Sequence, residues 1–375
     1  MSKKGEKIKV AFPHMGQIYI AWASALKKVG AEPFIPPYTS KKTLSLGAKY
    51  SPEAICLPYK LILGNFIEAI EGGADYVAMI TSPGCCRLGE YGNCIAHALK
   101  DMGYEANYVE MKLYDGIKGM LDFLTKVSGK TDIILFSRAI NIGIRKVFII
   151  DRMKDHLAYL SAREKHFGDA EKAYHKGLKI LYDVESSRQL KRAEKEIFDL
   201  MNKTEIDENR EVVRVDLTGE IYIVCDEFSN QNIMRELGRM GVEVHRTLTV
   251  SGFIKDAIIP NLFKKDETHL HRAERLAKPY LSRDIGGDAL ECVSDVVHAR
   301  NRQVDGIIHV SPFTCMPEIM SQNIFPAMRE TCDIPVLPLI MDEQTGKAGY
   351  ITRLEAFVDL MRRRKRKLMR ETANV

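Results

Sequence analysis

The chain has no apolar run approaching the roughly 20 residues that a membrane-spanning helix requires. Its first residues, Met1-Ser2-Lys3-Lys4-Gly5-Glu6-Lys7, lead into an expected strand without the apolar stretch of a secretory leader. Both absences predict a cytoplasmic protein with no membrane partner. There is no CxxC pair and no Cys/His spacing of the zinc-ribbon or zinc-finger kind, which excludes the common structural zinc modules. Neither a GxGxxG fingerprint nor a Walker-type phosphate loop is present, so a familiar glycine-rich nucleotide cradle is excluded too. Net charge is only +5 in 375 residues, and the run Arg362-Arg363-Arg364-Lys365-Arg366-Lys367 alone carries six positive charges. With no aromatic-rich RNA signature beside it, that run reads as a solvated helix end whose cations suit the negative pole of the helix dipole. Nucleic acid is not an expected partner.

What the chain does have is an ordinary globular composition, 45% hydrophobic and 28% charged, enough to build substantial cores. Its length predicts two or three domains. Eight cysteines are present. A cytosolic chain with ample core neither needs disulfides nor keeps them oxidised, so clustered thiols point to metal ligation or redox chemistry.

Apolar patterning alternates between strand and helix in two stretches. In the first, a strand over Ile8 to Phe12 precedes a helix over Tyr19 to Val29 that closes at Gly30. A short strand near Pro33 to Ile35 follows, then a polar helix that Thr39-Ser40 can cap. A helix over Leu61 to Glu71, the Tyr76 strand, a helix over Tyr91 to Met102 and a strand near Asn107 to Glu110 complete the unit. From about Gly116 to Glu211 the sequence turns long, charge-rich and helix-favouring, apart from an apolar run at Ile133 to Phe136. The alternation then resumes: an expected strand over Glu220 to Cys225, a helix over Asn230 to Met240 closing at Gly241, and a strand over Glu243 to Thr247. A helix around Asp288 to Arg302, the Asp305 strand and a strand over Ile334 to Leu339 end the series. The expected fold class is α/β, with two Rossmann-like, doubly wound lobes on parallel sheets and a helical insertion. The boundaries expected are 1–115, 116–212 and 213–375. Lys28-Val29-Gly30-Ala31-Glu32 echoes Arg239-Met240-Gly241-Val242-Glu243, which predicts an approximate internal duplication.

The same echo carries chemistry. Asp75 to Cys86 resembles Asp305 to Cys315, including the Ser-Pro just before the thiol. Proline cannot donate to a sheet ladder, so each strand should stop there and deliver a cysteine to a loop at its carboxyl end. Open α/β sheets bind ligands at that end. Cysteines from the two lobes are therefore expected to meet in a shared cleft. Aligning the segments on Ser-Pro matches Cys86 with Cys315; aligning them on the aspartates matches Cys85 instead. Cys56, in Cys56-Leu57-Pro58-Tyr59-Lys60, is expected at the amino end of the next helix, where thiolate is favoured. Cys94 stands between ligand and structural roles. Cys225 reads as core, with the cleft as its alternative, while Cys292 and Cys332 read as structural. His269 and His271 are one residue apart on an expected helix and make a poor chelate. Thiolates from separate loops suit an iron-sulfur cluster better than zinc.

Cys56-Leu57-Pro58-Tyr59-Lys60 with Gly64-Asn65, Gly84-Cys85-Cys86-Arg87-Leu88-Gly89-Glu90-Tyr91, and Phe313-Thr314-Cys315-Met316-Pro317-Glu318 resemble the motifs of the 2-hydroxyacyl-CoA dehydratase and activase-related superfamily. Asp342 to Gly346 and Thr352 to Phe357 resemble the C-terminal signature of its activase-related branch. The resemblance implies two Rossmann-like lobes and an iron-sulfur cofactor, with Cys56, Cys86 and Cys315 as ligands of a [4Fe-4S] cluster. Double-cubane relatives hold an [8Fe-9S] cluster with more cysteines, which would draw on Cys85, Cys94 and Cys225. Lys60 and Arg87 would offset cluster charge. The implied partners are an ATP-hydrolysing activase that supplies low-potential electrons, a small-molecule or CoA-ester substrate, and a related subunit or second copy. Three functions follow as expectations: a reductive enzyme, a non-catalytic cluster-bearing scaffold or electron relay, and a small-ligand module with no cluster. No individual residue is singled out as catalytic.

Overall fold

The computed structural model describes residues 7–81, 86–112, 115–258 and 269–373. The chain divides into two units, the first comprising Met1–Asp151, Gly177–Ile197 and Val250–Lys265, the second Arg152–Lys176, Phe198–Thr249 and Asp266–Val375. The elements in chain order begin with β1 (Lys9–Ala11), α1 (Tyr19–Val29), β2 (Glu32–Phe34), α2 (Lys41–Lys49), α3 (Leu57–Glu71), β3 (Tyr76–Thr81), α4 (Tyr91–Asp101) and β4 (Asn107–Lys112). The helices α5 (Ile117–Ser128), α6 (Ile133–Ser161), α7 (Asp169–Tyr182) and α8 (Ser187–Met201) follow. The remaining elements are β5 (Val213–Gly219), α9 (Ile221–Cys225), α10 (Ile233–Arg239), β6 (Val242–Arg246), α11 (Val250–Ile258), α12 (His269–Ala277), α13 (Ala289–Arg302), β7 (Gly306–Pro312), α14 (Met316–Cys332), β8 (Val336–Met341) and α15 (Lys347–Ala373).

In the first unit the sheet runs β2-β1-β3-β4 with every pair parallel. Side chains alternate across a strand, so adjacent residues of β1 serve opposite layers. Val10 packs with Leu26, Phe123 and Phe136 from α1, α5 and α6, whereas Ala11 packs with Ala69 of α3. That is the doubly wound arrangement expected. The order reverses between β1 and β3, which places the ligand-binding crevice of such a sheet beside the loops that leave these two strands. α2 and α3 approach closely because Gly47 and Gly64 carry no side chain. A Cβ on Gly47 would fall on the Lys60 carbonyl, and one on Gly64 on that of Thr43. Ser40 caps α2 as expected: its hydroxyl accepts from the Thr43 amide while Thr43 Oγ1 accepts from the Ser40 amide.

The second sheet repeats the topology as β6-β5-β7-β8, again all parallel. Its layers also alternate. Ile307 enters the core with Val293 and Val296 of α13, while Gly306 faces α15, where an added Cβ would collide with Met361 and Phe357. The duplication extends to side chains. Asp75 Oδ2 accepts from the Lys9 amide at 2.8 Å, tying the start of β3 to that of β1, and Asp305 Oδ2 accepts from the Arg214 amide at 2.8 Å, tying β7 to β5.

One expected element is corrected. Glu220 to Cys225 is not a strand; the strand lies earlier, over Val213–Gly219, and Ile221–Cys225 is a short helix. Glu220 causes the change, because its carboxylate accepts from the amides of Tyr222 and Ile223 and caps that helix. β5 ends at Gly219, whose φ of 137° suits glycine and where an added Cβ would fall on the Val310 carbonyl. The apolar run at Ile133 to Phe136 opens α6. Among the described residues no helix is long and apolar enough to cross a membrane.

Candidate functional site

Cys56, Cys86 and Cys315 share one local geometry. Each is the N-cap of the helical segment that follows, has extended backbone and makes no side-chain cap hydrogen bond. Cys56 caps α3, Cys86 caps the 3-10 turn Arg87–Glu90, and Cys315 caps α14. Pro58 and Pro317 stand in the first turns of α3 and α14, where an amide donor is not needed. The start of a helix carries partial positive charge, which favours thiolate over thiol at a cap position.

In the first unit, Cys56 is buried and its Sγ contacts the Tyr91 hydroxyl at the start of α4. Tyr59 and Tyr91 meet edge to face, with ring centres 5.1 Å apart. Burial raises the Tyr59 pKa, and negative charge on the Cys94 sulfur adds to the effect. Cys94 itself lies within α4 and is exposed. Cys56, Tyr59 and Tyr91 thus come together at the starts of α3 and α4, just beyond the turn capped by Cys86. Gly64-Asn65 supports the same corner: Gly64 allows the close approach of α2, and Asn65 Oδ1 accepts from the His14 amide at 2.7 Å in the loop after β1. His14 Nε2 lies 2.9 Å from the Pro36 carbonyl, and burial lowers its pKa. Lys60 is buried and directs Nζ to the Glu53 carbonyl at 3.0 Å, while Arg87 is exposed. Cys85 lies outside the described residues. Cys86, like Cys315, stands immediately before a helical segment.

In the second unit, Cys315 follows β7 as expected. Thr314 takes a left-handed conformation with φ of 66°, and the Cys315 amide donates back to the Pro312 carbonyl. The thiol residue is buried, yet its chain neighbours Phe313, Met316, Ile319 and Met320 are 57%, 46%, 45% and 43% exposed. A run of large apolar side chains in water beside a cysteine loop is a surface suited to a partner.

Cys225 is also corrected: it ends the helix α9 rather than a strand. It is buried and lines a cavity with Lys154, Glu171, His175 and Arg235, and its carbonyl accepts from Lys154 Nζ at 3.3 Å. The basic run lies on α15 and pairs within its own unit. Arg364 meets Asp333, Lys365 meets Asp305, Arg366 meets Glu211, and Arg362 donates to the Met240 carbonyl.

Sequence reasoning read Cys292 as merely structural and passed over His309 and Glu318. These three buried residues converge, with His309 Nε2 2.5 Å from Glu318 Oε2 and Cys292 Sγ 3.3 Å from the same oxygen. Thr218 Oγ1 lies 3.5 Å from the sulfur. Burial pushes the Cys292 thiol well up, with the Glu318 charge adding to the effect. The available signal was a histidine in the middle of β7, a strand buried at every position. Nearby, burial pushes the carboxyl of Glu220 up to about 7 and that of Asp288 well above the usual range, and the Glu318 charge raises both further.

The protein family described as CoA enzyme activase uncharacterised domain (DUF2229) matches residues 11–248. The match spans more than half of the chain, so the protein belongs to this family. It includes Cys56, Cys86, Cys94 and Cys225, and ends before Cys315. No curated protein matches the chain.

Proposed function

We propose that this protein is an iron-sulfur component of an activase-driven reductive system, with Cys56, Cys86 and Cys315 as thiolate ligands. The observation that carries the proposal is their shared N-cap geometry, at three separate helical starts, in a chain of the CoA enzyme activase domain family. The donor set fits the group: three cysteines, each at the start of a helical segment, where partial positive charge favours a sulfur anion. A [4Fe-4S] cluster is the favoured group and [8Fe-9S] the larger alternative, for which Cys85, Cys94 and Cys225 are the additional candidate ligands. When bound, the cluster would supply low-potential electron storage. The residues of the chain would hold it and tune it. Tyr91 places a hydroxyl against Cys56 sulfur, and hydrogen bonds to cluster sulfurs are one of the means by which proteins set potential. Lys60 and Arg87 would contribute positive charge.

The electrons would come from an ATP-hydrolysing activase, and the acceptor would be a small molecule or a CoA ester. The exposed Phe313, Met316, Ile319 and Met320 favour a protein partner at the Cys315 loop. A related subunit or second copy is a further candidate partner. A cluster-bearing relay without chemistry of its own is the second reading, and this same docking surface favours it. The test is an anaerobic absorbance spectrum of the purified chain, combined with a phosphate-release assay on ATP. Broad visible absorbance bleached by dithionite, with no ATP turnover by the chain alone, is expected. A colourless protein, or robust ATP hydrolysis by the chain itself, would overturn the proposal.

A further inference from the structure

The second unit buries three donor atoms of different chemistry together: a sulfur, an imidazole nitrogen and a carboxylate oxygen. Cys292 Sγ, His309 Nε2 and a Glu318 oxygen lie within 4.8 Å of one another. They come from α13, β7 and the first turn of α14, so three separate elements converge on one point. Cys292 and His309 are 0% exposed and Glu318 is 1% exposed. Glu318 Oε1, the oxygen not used by its two neighbours, has no hydrogen-bond partner among the described residues. A fully buried carboxylate with an unused oxygen is costly unless something positive or protonated meets it.

Charge in the surroundings sharpens the point. Glu220 accepts from the Tyr222 and Ile223 amides and Asp288 from that of Ile221. Among the described residues no Lys or Arg pairs with Glu220, Asp288 or Glu318. The nearby Asp216 and Asp295 are treated differently: Arg302 reaches them at 2.6 and 3.6 Å. The fold thus supplies a guanidinium to one buried acidic pair and none to the carboxylate beside a thiol and an imidazole.

We infer that Cys292, His309 and Glu318 form a mononuclear site for a divalent transition-metal ion of the zinc class, distinct from the cysteines proposed for iron-sulfur. One thiolate, one carboxylate and one neutral imidazole carry two negative charges, which a divalent ion neutralises in a buried setting. Mixed sulfur, nitrogen and oxygen donors suit zinc and its neighbours rather than calcium or magnesium. Binding replaces the Cys292 thiol proton, which leaves to solvent. The proton between His309 and Glu318 also leaves to solvent or moves to Nδ1 of the same ring. Glu318 lies three residues beyond the cap residue Cys315, so the ion would pin the start of α14 to α13 and β7.

The test uses the full chain, produced in zinc-supplemented and in cobalt-supplemented medium. Metal content is measured by mass spectrometry and the cobalt form by absorbance. Wild type should retain about one equivalent of zinc after dialysis, and its cobalt form should show a thiolate-to-cobalt charge-transfer band with tetrahedral visible bands. Cys292→Ser, His309→Gln and Glu318→Gln should each weaken retention by at least about tenfold, and Cys292→Ser should abolish the charge-transfer band. Cys56→Ala and Cys315→Ala should leave the band intact, which separates this site from the iron-sulfur proposal. Folded wild type that takes up less than about a tenth of an equivalent would overturn the inference, whether or not the variants fold. A cobalt band that persists in Cys292→Ser would overturn it as well.

Discussion

At the scale of single residues, burial governs the chemistry. Lys146 is fully buried, with Nζ donating to Ser24 Oγ at 2.7 Å and to the Tyr182 carbonyl at 3.2 Å, and burial lowers its pKa to about 8. Its folded value lies below its unfolded one, so between about pH 8 and 10.5 the unfolded chain holds more protons and stability rises with pH. Below that window the ammonium is charged in both states and the penalty is fully present. Lys146→Met should remove the rise. Thermal unfolding of wild type and variant at pH 7.5 and 10 should show the wild type gaining on the variant by on the order of 1–3 kcal/mol. Equal slopes for the two proteins would show that Lys146 carries no such penalty. The candidate thiols were legible at this scale, since Ser-Pro before a cysteine and Cys-x-Pro at a helix start have local consequences. Cys292, His309 and Glu318 were not, because they are 26 residues apart at their ends and only packing brings them together.

At the scale of elements, most of the alternation of strands and helices was legible from periodicity. Capping signals placed several ends within a residue or two, among them Gly30 after α1 and Ser40 before α2. The exception was Glu220 to Cys225. A uniformly apolar stretch of five residues reads equally as buried strand or buried helix, and the deciding feature was a glutamate acting as cap. The true strand, Val-Arg-Val-Asp-Leu-Thr-Gly, alternates as a half-exposed strand does, although Asp216 and Thr218 are in fact buried and paired. The basic run of α15 is also an element-scale feature. Lys365 Nζ lies 2.9 Å from the Val212 carbonyl and 3.1 Å from Asp305 Oδ2, with 22% of its side chain exposed, whereas Arg363 is 78% exposed and pairs with Asp359 of its own helix. Lys365→Ala should therefore cost about 1–2 kcal/mol and Arg363→Ala less than about 0.5 kcal/mol in denaturant unfolding. Equal costs would return the run to a featureless solvated face.

At the scale of the whole molecule, two parallel sheets with one strand order and equivalent aspartate ties make the chain a structural duplicate of a single plan. Cys86 and Cys315 each follow the third strand of their own unit, and Cys56 starts the helix that precedes that strand in the first unit. The duplication was visible in sequence as the paired Lys-Val-Gly and Arg-Met-Gly segments and the paired Ser-Pro dipeptides ahead of a cysteine. The division into units was harder to foresee, since each unit draws on segments far apart in the chain. The function proposed depends on iron-sulfur at Cys56, Cys86 and Cys315. The most direct measurement is parallel iron and acid-labile sulfide analysis of wild type, Cys56→Ala, Cys86→Ala and Cys315→Ala, all purified anaerobically. The account predicts about four irons with matching sulfide in wild type, or about twice that for the larger cluster, and a strong loss in every variant. Iron-free wild type, or full occupancy in all three variants, would contradict it.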